Sequence, residues 1–101
     1  MRATIQGRTL AEAPADETIT IEGRTYFPPS SVAHELLDES DTPYVCPWKG
    51  RCQYFNAVVG NDILHDVAWT YPDPLPSAIA KVGTDFSDYV AFAPDIAVGS
   101  D

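Results

Sequence analysis

Cys46-Pro47-Trp48-Lys49-Gly50-Arg51 gathers a thiol, an ammonium and a guanidinium within six residues. In a chain with 15 acidic and 6 basic residues, Lys49 and Arg51 are the one close pair of bases. Two cations either side of a glycine can clamp an anionic group, and Gly50 would let a ligand approach the backbone. The plainer reading is a tight turn whose lysine pairs with a neighbouring acid. Cys46 lies three residues before Lys49, and a nearby ammonium can lower a thiol pKa and make a nucleophile. A buried thiol ahead of a proline turn is the commoner outcome and the favoured one. No catalytic residue is assigned; Cys46 and Lys49 are the candidates.

Aromatic residues concentrate near the same segment: Tyr26, Phe27, Tyr44, Trp48, Tyr54, Phe55, Trp69 and Tyr71. Most must be core in so small a chain. The rest can wall a pocket that stacks a planar ring or holds a cation. The expected ligand-binding set is Trp48, Lys49, Gly50, Tyr54, Trp69 and Tyr71, with Trp48 the most exposed of its aromatics. Cys46, Cys52, His34 and His65 could in number hold a zinc ion. C-x5-C is not a metal-knuckle spacing, however, and the histidines are unpaired, so no metal or cofactor is expected. Without an export signal a disulfide is not the default. His65 opposite Asn56 could be a general base, but a structural hydrogen bond is the commoner role. No G-x-S-x-G motif occurs.

These side chains need a scaffold of strands. Arg51 to Val59 and Asp62 to Tyr71 are rich in β-branched and aromatic residues, and Gly60-Asn61 between them signals a two-residue hairpin turn. Continuous pairing from that turn sets Val59 against Asp62, Asn56 against His65, Tyr54 against Val67 and Cys52 against Trp69. Tyr54 and Trp69 then share one face. Both faces carry apolar groups, which predicts a central hairpin. Arg2 to Gln6 and Arg8 to Glu12 predict an N-terminal hairpin, Glu17 to Glu22 and Thr25 to Phe27 two further strands, and Tyr89 to Ala93 and Ile96 to Val98 the last two. Val32, Ala33, Leu36 and Leu37 predict a short helix over 31–38 capped by Ser30 or Ser31, its acidic end running to Pro43. Ser77 would cap a helical turn near 77–81. The expected fold class is mainly β, one domain over residues 1–101.

Charge removes several classes of partner. The net charge is −9, and nonspecific nucleic-acid binding needs basic surface to neutralise phosphates. The same field repels an anionic membrane surface. No apolar run reaches about 18 residues, and the N-terminus lacks a signal-peptide core, so a cytoplasmic location is expected. Ten of the acids are Asp, and Lys49 and Lys81 are the two lysines. Such a surface suits the high-salt cytoplasm of a halophile.

Tyr44-Val45-Cys46-Pro47-Trp48-Lys49-Gly50, followed by Tyr54, Trp69-Thr70-Tyr71-Pro72 and Val90-Ala91-Phe92, with Tyr26-Phe27-Pro28 upstream, resembles the domain-of-unknown-function 427 family, which also bears a nucleotidyltransferase-like label. The resemblance runs from about Ile5 to Val98. It implies a small β-tent fold, with methionine-R-sulfoxide reductase B and the ligand-binding domain of cereblon as fold relatives. Their four-cysteine zinc site cannot be built here, and Cys52 stands where the family usually has a small residue. No glycine-rich phosphate loop or paired Asp motif supports nucleotidyl transfer. The leading functional reading is a small-molecule-binding domain that takes an anionic or planar ligand beside Lys49. A thiol-dependent enzyme using Cys46 is the second, with Cys52 able to resolve a sulfenic acid. A protein-interaction module, or a homodimer formed through a sheet edge or aromatic patch, is the third.

Overall fold

Nine strands make up most of the computed structural model, which describes residues 1–100. In chain order they are β1 (Arg2–Ile5), β2 (Arg8–Glu12), β3 (Ile19–Ile21), β4 (Arg24–Tyr26), β5 (Leu37–Cys46), β6 (Gly50–Val59), β7 (Asp62–Thr70), β8 (Val90–Phe92) and β9 (Ala97–Gly99). One α-helix, α1 (Pro76–Val82), occurs among the described residues. The strands form antiparallel sheets in the orders β5-β6-β7-β8, β2-β1-β9 and β3-β4. The chain is therefore mainly β, as its sequence pattern implies. Phe27 and Val90 exchange backbone hydrogen bonds of 2.8 and 2.9 Å, which tie the β3-β4 hairpin to the free edge at β8.

The central sheet is covered on both faces. Phe55, Ala57 and Val59 alternate into a cluster with Leu10, Phe27 and Phe92. Cys52 and Tyr54 turn the other way, towards Tyr26, Tyr71, Phe86 and Ala91. Period-two alternation thus supplies two cores from one strand.

The hairpin register holds only near its turn. Val59 faces Asp62 and Val58 faces Ile63, as continuous pairing from Gly60-Asn61 requires. Beyond Ala57 and Leu64 the register shifts, and Phe55 faces Ala68, Tyr54 faces Trp69 and Gln53 faces Thr70. Asp66 is the cause. It adopts a left-handed φ of 55°, and its N–H bonds the Asn56 side-chain oxygen at 2.9 Å. Three residues of β7 therefore oppose Asn56 alone, and the expected His65–Asn56 and Cys52–Trp69 pairs do not form. The shift is two residues, so face parity survives. Tyr54 and Trp69 keep their shared face and come directly opposite each other.

The helix expected over 31–38 is absent. Pro29–Ser31 and His34–Leu36 make single 3-10 turns, and Leu37 begins β5. The reason is competition for backbone hydrogen bonds. Val32 is extended and bridges Ala11, and the Ala33 N–H donates to the Leu10 carbonyl at 2.8 Å. The acidic stretch expected to end the helix is instead an edge strand. Its Pro43 sits at a register irregularity, where the missing N–H breaks no continuous ladder. The turn expected near 77–81 is α1, but Leu75 and Pro76 start it without a side-chain cap from Ser77.

Candidate functional site

Three turns converge beside the second core. The β3-β4 turn is Glu22-Gly23, with both residues at positive φ (54° and 76°), the pattern of a type I′ turn. The β5-β6 connection is Pro47-Trp48-Lys49. The segment after β7 crosses that connection, and the Leu75 N–H donates to the Lys49 carbonyl at 3.0 Å. Lys49 is only 6% exposed. Its ammonium donates to the Glu22 carboxylate and lies 4.9 Å from the Trp48 ring centre and 5.2 Å from that of Tyr71. Ring faces carry negative potential, so both aromatics favour the charged form.

Lys49, Tyr54, Trp69 and Tyr71, four of the six expected ligand-binding residues, line one cleft of about 360 Å³. Tyr54 and Trp69 meet edge to face at 6.2 Å and 70°, and Tyr44 tilts against Tyr54 at 6.4 Å. The Trp69 indole N–H donates to the Tyr26 hydroxyl at 3.1 Å. Trp48 instead lines an adjoining depression with Thr20, Lys81 and Val82, and it is half-buried. Gly50 has a φ of 110°, open to glycine but strained for other residues. The space over it is taken by this chain's own Asp73 carbonyl and Leu75, 3.5 Å from where a Cβ would stand.

The second cation of the cleft is Arg24, not Arg51. Its guanidinium lies 5.5 Å from the Trp69 ring centre and donates to the Phe92 carbonyl at 3.1 Å. Arg51 is exposed, because alternation along β6 sends it to the face opposite Cys52 and Tyr54. The expected Lys49–Arg51 clamp is not built.

A family model described as a domain of unknown function (DUF427) matches residues 1–99. The chain belongs to the DUF427 family. A search of curated proteins finds no match. In this DUF427 chain the electrostatics of the cleft favour a fixed positive charge. Burial pulls the Lys49 ammonium towards neutrality. The Glu22 hydrogen bond, with Tyr26 and Cys46 nearby, outweighs it and holds the group above the ordinary lysine value. The same hydrogen bond holds Glu22 below the ordinary carboxylate value. Burial raises the phenols of Tyr26, Tyr54 and Tyr71. The walls are thus neutral hydroxyls and rings around a buried cation paired with Glu22, with Arg24 as a second cation. A lysine kept charged is a poor nucleophile.

The thiols lie behind the walls of the DUF427 cleft. Cys46 and Cys52 are both free and buried in the second core, and neither lines the cleft. Burial pushes the Cys52 thiol up to about 11. Among the described residues no group of three or more His, Cys, Asp or Glu side chains converges to hold a metal ion. Glu22 and Arg24 are the site residues that motif reading missed. The available signal was Glu22-Gly23 between two strand-like runs, which is a hairpin turn and carries Glu22 to a tip.

Proposed function

We propose that this DUF427 domain binds a small molecule that has an anionic group and a planar or apolar body. Lys49 meets the anion, and Tyr54, Trp69 and Tyr71 pack against the body. The observation that carries this reading is the placement of Lys49. It is a lysine with 6% of its surface exposed that lines a cleft together with Tyr54, Trp69 and Tyr71. Burying a charge is costly unless it is answered, and structural lysines are commonly left in water instead. Ligand pockets combine apolar walls with a few fixed polar groups, and this cleft has that composition. A thiol mechanism draws no support from two protein-buried sulfurs outside the cleft.

A thermal-shift screen in high salt tests the reading, with aromatic organic acids, nucleotides, nucleobases, amino-acid derivatives and quaternary amines. A ligand at about 100 times its dissociation constant stabilises by roughly 2.7 kcal/mol. The expected result is a shift in the wild type that is lost in Lys49→Met. An equal shift in both proteins, or no shift with any compound, overturns the proposal.

A further inference from the structure

Both lysines of this chain attend one indole. Lys49 lies 4.9 Å and Lys81 4.7 Å from the Trp48 ring centre. The Glu22 carboxylate is bound to Lys49, and it feels the charge of Lys81. Glu22 also borders both the aromatic cleft and the adjoining depression. The two partners differ sharply in access to water. The Lys49 side chain is 7% exposed and that of Glu22 is 59% exposed. The cation is held inside the fold and its anionic partner stands at the surface.

The backbone beneath Glu22 points the same way. A φ of 54° is a left-handed conformation that non-glycine residues rarely adopt. Asn, Asp or Gly is usual at that position of a type I′ turn. A glutamate there gains nothing from the turn, but its longer side chain reaches Lys49.

We propose that Glu22 is an internal stand-in for the ligand's anionic head, and that a carboxylate or phosphate on a planar body displaces it from Lys49. This rests on the binding function proposed above and names the chemistry of the ligand's head and the group it must replace. Exchange keeps Lys49 paired in both states, so the buried cation is never left uncompensated. The displaced Glu22 carboxylate swings into water. The planar body lies against Tyr54 and Trp69. A phosphate dianion draws on Lys81 as well, whereas a carboxylate is satisfied by Lys49.

Benzoate and phenyl phosphate are the probes, titrated by calorimetry into wild type, Glu22→Gln, Lys49→Met and Lys81→Ala. A site blocked nine times in ten loses about tenfold in apparent affinity, so removing the blocker restores about tenfold or more. The expected result is tighter binding of at least one probe by Glu22→Gln, with binding lost in Lys49→Met. Glu22→Asn suits the turn and replaces Glu22→Gln if that variant does not fold. Lys81→Ala should weaken phenyl phosphate more than benzoate. Equal or weaker binding by Glu22→Gln, beside Lys49-dependent binding in the wild type, overturns the stand-in and leaves the binding function. Binding that survives in Lys49→Met, or no binding to any of the proteins, overturns both.

Discussion

A lysine removed from water keeps its charge only when neighbours answer it. Glu22 answers Lys49, and the rings of Trp48 and Tyr71 add to that. The pairing makes folding depend on pH, with a definite sign. The folded-state pKa of Glu22 lies below its ordinary value of 4.5, so the folded chain binds fewer protons across the carboxylate range. The stability gained is complete above that ordinary value and is lost as pH falls through the folded one. Lys49, raised in the folded chain, contributes at every pH below its ordinary value of 10.5 and stops contributing as pH climbs through the folded one. Because Glu22 faces solvent, its pair is worth about 1 kcal/mol at neutral pH. Urea denaturation of wild type and Glu22→Gln at neutral pH and at about pH 3 should show that gap closing in acid. A gap that is constant with pH would mean that Glu22 carries no linked proton. Singling out Lys49 as a candidate needed only its motif. Finding its partner needed the fold, since Glu22 is 27 residues away in sequence.

At the scale of elements, the site depends on how two connections cross. Gly50 ends the β5-β6 turn at a φ of 110°, and the Asp73–Leu75 segment lies across it. Gly50→Ala keeps ordinary van der Waals distances but forces a side chain into a disfavoured backbone. The expected loss is about 1–3 kcal/mol, read as a lower urea midpoint. A midpoint like the wild type's would show that the turn relaxes freely. Strand alternation made the hairpins and the shared face of Tyr54 and Trp69 legible from residues alone. The bulge at Asp66 was not, because nothing in the order Leu64-His65-Asp66-Val67 shows that Asn56 captures a backbone N–H. The edge strand was also hidden. Leu37–Cys46 is acidic and contains Pro43, a composition that reads as the solvated end of a helix, and such residues are the ones that keep an exposed sheet edge from pairing with another chain. The helix failed for the converse reason. Its apolar spacing was sound, but Val32 and Ala33 committed their backbones to β2.

Across the whole molecule, a net charge of −9 on 101 residues is a self-repelling field. The two lysines do little to relieve it at long range, since both are gathered around Trp48. At low ionic strength that repulsion extends across the molecule, and at about 0.1 M salt it is screened beyond roughly 10 Å. The thermal midpoint should therefore rise between millimolar and molar KCl. Equal midpoints would show that the acids are too well dispersed to matter. The same acidity makes a gathering of bases unusual, and Arg24, Lys49 and Lys81 border the aromatic cleft and its adjoining depression.

The bulge at Asp66 divides the central hairpin into two separately registered halves. The half that ends at Gly60-Asn61 is exposed at its tip, and the half that ends at Lys49 carries the cleft. Extra residues spliced in at Gly60-Asn61 would disturb pairing only as far as Asn56, where the ladder is already broken. That tip is the natural graft point for a fluorescent tag or an affinity handle, because a foreign segment there leaves Tyr54 facing Trp69.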